Sequence, residues 1–279
     1  MNNNITELAE KIANGQWLLA PTAYTALVKR VDNYMNNGST IKVKANANSS
    51  IDNGFEVDKN ESNADGIAVI FINGILIKGA SEEDEEELGL CNIDNISELL
   101  DLAAIDPSIS KICLVFNSPG GEVTGIPELS RKIAFIDKNI KSIICWTETQ
   151  VASAAYWLYS QGSLIGCTES SQLGSIGVYT LIEDHTKELK ASGVEILPIV
   201  SGKYKLIGQE FHILSDNERQ ILQTGVEITH NKFKTAIKTN RPQISDETLE
   251  GLSYSGDIAI DLQLADIAVD SFDEFLTNN

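Results

Sequence analysis

Short apolar runs alternate with helical periodicities over most of this chain. Ile67-Ala-Val-Ile-Phe-Ile72, Lys111-Ile-Cys-Leu-Val-Phe116, Ser142-Ile-Ile-Cys-Trp146 and Ile196 to Val200 have strand length, and Leu164-Ile165 begins a shorter strand. Between them Ile96, Leu99, Leu100 and Ala103 recur at helical spacing, as do Leu129, Ile133 and Ile136 within 126–136. Ala152 to Tyr159 reads as another helix. Ser215-Asp-Asn-Glu218 is a capping box that opens a long helix, with Leu222, Val226, Phe233 and Ile237 along one face. Continuously apolar strands alternating with helices predict an α/β fold around a largely parallel sheet. Asn73-Gly74, set between two apolar runs, predicts a hairpin into Ile75-Leu-Ile77.

The first part of the chain reads differently. Residues 1–44 form a helical N-terminal region in which Trp17-Leu-Leu-Ala-Pro21 resembles a docking segment. Thr22 to Tyr34 carries Ala23, Ala26, Leu27, Val31 and Tyr34 at helical spacing. Residues 45–66 are polar, rich in Asn, Asp and Ser, and read as a linker. The main domain follows over 67–279. Within it Glu82-Glu-Asp-Glu-Glu-Glu87 reads as a solvated, mobile loop, with a segment that orders on substrate binding as the sharper alternative.

Composition narrows the classes. The 279 residues suit one large or two small domains, and 42% hydrophobic residues suffice for a sizeable core. A formal charge of -19 argues against nonspecific binding to nucleic acid or to an anionic membrane. No apolar run is long enough to span a bilayer, and Met1-Asn-Asn-Asn-Ile5 lacks the basic and apolar parts of a signal peptide, so a cytoplasmic setting is expected. Cys91, Cys113, Cys145 and Cys167 have no CxxC spacing and read as reduced core residues. No histidine or cysteine cluster supports a metal, no phosphate-binding loop occurs, and no cofactor is expected.

The candidate chemistry is acyl transfer, which needs a nucleophile, a base and a place for an oxyanion. Ser153, in Val151-Ala-Ser-Ala-Ala-Tyr156, lies where a strand passes into a helix. Its own backbone N–H is expected to face the developing negative charge, helped by the helix dipole. Asn117-Ser-Pro-Gly-Gly121 follows a buried strand, and its two glycines permit close approach of backbone to ligand, which suits an oxyanion donor at Gly120 or Gly121. A lysine in water titrates at ~10.4 and is a poor base at neutral pH, but burial can lower that by several units. Lys203 and Lys205, in Ser201-Gly-Lys-Tyr-Lys-Leu206, share a face if the segment is extended, so spacing leaves both open as the base. Ser175, in Leu173-Gly-Ser-Ile-Gly177, is a candidate for orienting the amine. His185, His212 and His230 are the alternatives for a Ser-His-Asp triad.

Taken together and in order, Asn-Ser-Pro-Gly-Gly, Ala-Ser-Ala-Ala-Tyr, Gly-Ser-Ile-Gly-Val and Gly-Lys-Tyr-Lys resemble the signal-peptide-peptidase A family of serine peptidases, S49, over about Ile67 to Asp270. The Trp17-Leu-Leu-Ala-Pro21 opening looks more like its bacteriophage branch of head-maturation (prohead) proteases. The resemblance implies a ClpP/crotonase-like spiral of β-β-α units, with the helical N-terminal region as an extension. It implies Ser153 as nucleophile, Lys205 as general base, an oxyanion N–H at Gly120 or Gly121, and Ser175 as the hydroxyl that orients the lysine. It further implies a peptide or protein substrate, such as capsid or scaffold protein in an assembling phage head, and a homo-oligomeric ring in which neighbouring protomers complete each site. This chain departs from many members in having Ala154-Ala155 after the serine in place of Gly-Gly, and Gln263 where glycine usually precedes the leucine. A signal-peptide-degrading peptidase, an inactive structural homologue and an acyl-CoA enzyme on the crotonase fold are the competing readings.

Overall fold

A computed structural model describes residues 15–37, 56–58 and 66–279. In chain order the first elements are strand β1 (Trp17–Leu19), helix α1 (Pro21–Asn37) and strands β2 (Glu56–Asp58), β3 (Gly66–Asn73) and β4 (Ile75–Ile77). Next come α2 (Glu82–Leu88), β5 (Leu90–Asn92), α3 (Ile93–Ile105), β6 (Ile109–Asn117), β7 (Gly120–Glu122) and α4 (Ile126–Asn139). The central part contains β8 (Ile143–Thr147), β9 (Gln150–Ala152), α5 (Ala154–Tyr159), β10 (Leu164–Cys167) and β11 (Gln172–Gly174). The remainder contains α6 (Thr186–Ala191), α7 (Asp216–Asn240), β12 (Ser253–Ser255), α8 (Gly256–Asp261), β13 (Ile267–Ala268) and α9 (Phe272–Asn278).

The four longest strands, β3, β6, β8 and β10, form the centre of a six-stranded sheet in the order β13-β10-β8-β6-β3-β2, edged by the short β13 and β2 and parallel except for β2. The short strand that follows each long one turns away into a second sheet, β1-β7-β4-β5, or a third, β12-β11-β9. The chain thus forms the expected ClpP/crotonase-like spiral of β-β-α units, with β6-β7-α4 and β8-β9-α5 as two complete turns. The central strands β3, β8 and β10 are largely buried on both faces, which is why they read as apolar runs. One face packs Ile70, Ile112, Leu114 and Cys145 against Leu100, Ile133 and α5. The other packs Val69, Cys113, Ile144 and Trp146 against Phe275 and Leu276 of α9, with Trp146 stacked on Phe275 at 4.8 Å.

The N-terminal segment is built into this body. Trp17–Leu19 pairs antiparallel with β7, and Leu27 and Val31 of α1 join Trp17, Leu19, Ile75, Ile77, Leu88 and Leu90 in a smaller apolar cluster. Ala26, expected on the packed face of that helix, is exposed, and Tyr24 and Val28 are half-buried instead. The linker expected over 45–66 lies outside the described residues except for Gly66 and Glu56–Asp58, which pairs antiparallel with β3.

Three expectations need correction. Asn73-Gly74 does not make a hairpin: β3 and β4 belong to different sheets, and β4 runs parallel to β5 and β7. Gly74 has φ +100, and a Cβ there would meet Gly89 O at 2.4 Å, so the turn's left-handed backbone serves a crossing between sheets. The run of acids is the helix α2, not a mobile loop. Ser81 and Asp84 form a capping box, Gly89 closes the C-terminus in the left-handed region, and Leu88 anchors the helix in the small cluster. Four acids in the first turn favour the helix through its dipole, which outweighs their tendency to stay solvated. Ile196 to Val200 is not a strand: all five residues are exposed, and Pro198 removes a donor from the middle of the run.

The capping box of the long helix forms as expected. Glu218 accepts from Ser215 N–H at 2.9 Å and Ser215 Oγ at 2.8 Å and meets His212 Nε2 at 3.0 Å. The bonds from Ser215, with help from His212, hold its carboxyl down at about 2. A glutamate titrates near ~4.3 when unfolded. The cap therefore stabilises the fold fully above that value, and the contribution disappears as pH falls through about 2. Glu218→Gln should flatten the dependence of Tm on pH across this window; an unchanged slope in thermal melts would refute the assignment.

Candidate active site

Three sequence motifs that lie far apart along the chain meet where it crosses from the large sheet to the small ones. Strand β9 pairs parallel with β11, so Ala152 lies opposite Gly174. Ser118 is bridged to Val151, with Ala152 N–H donating to Ser118 O at 3.1 Å. Residues 117–121, 150–154 and 173–177 thereby become neighbours.

Ser153 sits at the junction of β9 and α5 with φ 56 and ψ -119. This is an unusual backbone for a residue with a Cβ. It is imposed from both sides: Ser153 N–H donates to Gly174 O at 2.8 Å, and Ser153 O accepts the first helical bond from Trp157 N–H at 3.0 Å. The helix behind it cannot drift. All six residues of α5 are buried, Tyr156 and Tyr159 donate their hydroxyls to Leu264 O and Gly166 O, and Trp157 stacks on Phe233 of α7 at 4.6 Å. The serine side chain is 1% exposed, and its Oγ lies 3.4 Å from Gly177 O.

The expectation that Ser153 N–H serves the oxyanion is therefore corrected, because Gly174 O already holds it. The N–H groups of Ala154, Ala155 and Tyr156 precede the first intrahelical bond, from Trp157 N–H to Ser153 O, and so have no acceptor within the helix. The Val-Ala-Ser-Ala-Ala pattern contained this signal: the residue after a helix-capping serine carries an orphan amide.

Gly120 lies directly against the serine. It has φ +104, and a Cβ there would be 2.9 Å from Ser153 Cβ and 2.1 Å from Leu18 O. Its N–H points to Ser118 Oγ at 3.2 Å, and that buried hydroxyl donates to Gly74 O at 2.6 Å. Gly121 pairs with Leu18 of β1. On either side of this pair Ala20 N–H donates to Pro119 O and Val123 N–H to Gln16 O. By the alternation of an antiparallel ladder, Leu18 and Gly121 also form a hydrogen-bonded pair, which engages the Gly121 amide. Ser175 is buried near the serine with φ 52, and its N–H donates to Leu252 O at 2.7 Å.

Lys205 is not brought to the serine within this chain. It ends a turn at Gly202, where its N–H donates to Gly202 O, and its side chain is exposed. Lys203, also exposed, lies over the Tyr204 ring at 4.9 Å. The histidines are engaged elsewhere. His185 is exposed between Glu183 and Glu188, whose carboxylates raise it to about 9. His212 meets Glu218, and His230 Nε2 donates to Leu249 O at 2.9 Å and Ile176 O at 3.1 Å, which fixes the segment beside the serine. The four cysteines are free and buried, and burial pushes Cys91 up to about 12 and Cys167 up to about 11, so neither is a nucleophile at neutral pH. Among the described residues no cluster of His, Cys, Asp and Glu could hold a metal, and no helix is long and apolar enough to cross a membrane.

Residues 135–277 match peptidase family S49. The chain belongs to this family. The S49 match includes Ser153, Ser175 and Lys205. "Capsid assembly protease C" of Escherichia phage lambda is 32% identical over 211 residues, which cover 75% of this chain and 47% of that protein. "Head-tail preconnector protein GP5" of Enterobacteria phage P21 is 28% identical over 210 residues, covering 75% and 42%. "Protease 4" of Salmonella typhi is 27% identical over 212 residues, covering 75% and 33%. This S49 chain thus spans about half or less of the length of these relatives. The glycine usual at position 263 has a local reason, which Gln263 does not meet. The residue has φ 63 just beyond α8, with Leu264 N–H donating to Ala259 O, a left-handed helix end that favours glycine.

Proposed function

We propose that this chain is a serine endopeptidase that uses Ser153 as nucleophile and Lys205 of a neighbouring copy as general base. The observation that carries the reading is the strained, fully anchored Ser153 beside the Gly120 backbone at the mouth of a helix. In the first step Ser153 Oγ bonds to the scissile carbonyl carbon and its proton passes to the neutral Lys205 amine. The oxyanion is stabilised by the Ala154 amide and by Gly120 N–H, which leaves Ser118 Oγ to reach it. Collapse breaks the C–N bond, and the departing amine takes the proton from the Lys205 ammonium. Water then attacks the acyl carbon, giving a proton to Lys205; the C–Oγ bond breaks, and the Lys205 ammonium returns the proton to Ser153 Oγ as the acid leaves. Ser175 orients the amine.

The need for a second copy is supported by the surface around Lys205. Leu197 is 77% exposed, Ile199 101% and Ile213 68%, and Val194, Ile196 and Val200 add to the same stretch of chain. Apolar runs of this kind on one segment mark an interaction surface. Closed rings of identical protomers would bury the segment and carry Lys205 from solvent to the next serine.

The substrate proposed is capsid or scaffold protein of an assembling phage head, a reading supported by the two phage relatives whose names refer to capsid assembly and to the head-tail preconnector. It would work in the host cytoplasm. A fluorophosphonate probe tests the nucleophile: mass spectrometry should find one adduct on Ser153 and none in Ser153→Ala. An adduct on another residue, or equal modification of both proteins, would refute it.

A further inference from the structure

We propose that the strand Trp17–Leu19 is a displaceable occupant of the peptide groove, so that the protomer is latent until this strand leaves its seat; the proposal rests on Ser153 being the nucleophile. An acyl-transfer site must hold the scissile carbonyl about 3 Å from the attacking oxygen, with its oxygen at a backbone donor. An extended peptide meets this need by pairing its main chain with a strand edge. Strand β7 has two edges. One adjoins β4, where Leu76 lies opposite Gly121, and the other carries β1.

Gly120 identifies the edge that faces the serine. The point where its Cβ would stand is 2.1 Å from Leu18 O and 2.9 Å from Ser153 Cβ, so the Leu18 carbonyl and the serine side chain converge on the same place. The far side of β1 is held as well. Trp17 N–H donates to Tyr179 O at 2.9 Å, and Tyr179 N–H donates to Trp17 O at 3.1 Å. Tyr179 lies two residues beyond Gly177, whose carbonyl faces Ser153 Oγ. Strand β1 therefore fills the slot between the two backbone segments that flank the nucleophile and bonds to both. With it seated, Ser153 is 1% exposed.

The occupant also reports what the groove accepts. Leu18 enters the main core cluster with Val151, Ala154 and Ile176, whereas Trp17 and Leu19 enter the small cluster with Ile75 and Ile77. Side chains of alternate direction are thus apolar on both faces. The competing substrate is an extended apolar segment, antiparallel to β7.

The test compares full-length protein with full-length Leu18→Pro, which removes an amide from the β1–β7 ladder, and with the double variant Trp17→Ala/Leu19→Ala, which leaves the main chain intact. The readout is the rate of Ser153 modification by a fluorophosphonate, with far-UV circular dichroism confirming the fold. Loosening the strand should raise that rate about tenfold or more, in proportion to the fraction of open grooves. A synthetic peptide of residues 15–20 added in excess should slow it again. Variants that keep the fold and react no faster than the parent, all above the Ser153→Ala background, overturn the occupant and leave the nucleophile standing. No reaction above that background in any chain overturns both.

Discussion

Lys205→Met is expected to abolish peptide hydrolysis, and mixing it with Ser153→Ala is expected to bring part of the activity back. General-base removal costs about 10²–10⁴ in rate, and more when nucleophile and base act as one unit. The exposed, turn-bound Lys205 of a single chain has no bond to Ser153, so the two groups must come from different copies if they react together. In a random mixture of the two inactive proteins, roughly a quarter of junctions pair an intact serine with an intact lysine. Activity assays after subunit exchange read this directly. Complete silence of the mixture would place the dyad within one protomer or remove Lys205 from it. Lys203→Met supplies the comparison, because its ammonium already lies over Tyr204 and should be dispensable.

Gly120→Ala should cause the second large loss. The residue needs φ +104, and the added methyl would press on Leu18 O and Ser153 Cβ together. Strain of this kind costs on the order of 1–3 kcal/mol in stability. Displacing one oxyanion donor lowers kcat by about 10²–10³. Steady-state kinetics alongside a thermal melt separate the two effects. An alanine variant with full kcat would remove Gly120 from the oxyanion site.

Much of this arrangement can be read from the linear chain, and the misreadings share a cause. The apolar runs at 67–72, 111–116 and 142–146 form the central sheet because burial on both faces dictates their composition. The capping box at Ser215 is local chemistry and forms where its residues stand. By contrast, Asn73-Gly74 carries a hairpin signature, yet its two strands find better partners in separate sheets. The acids after Ser81 would remain a loop but for Leu88 and a glycine stop, whose effect depends on a distant cluster. Ile196 to Val200 has strand composition without a strand partner among the described residues. The placement of Trp17–Leu19 on Gly120–Glu122 is a pairing between segments about a hundred residues apart, which no local pattern records. The Ser153 amide is lost to Gly174 for the same reason.

The passages between sheets have an evolutionary consequence. Gly74 and Gly120 occur where the chain passes between sheets, and Ser153 and Ser175 directly follow the short strands β9 and β11, while the long strands and their helices stay behind in the interior. Reactive groups and structural ballast thus occupy different stretches of the polypeptide. A lineage can rewrite the corners, exchanging serine chemistry for another acyl chemistry or for none, and inherit an unaltered scaffold.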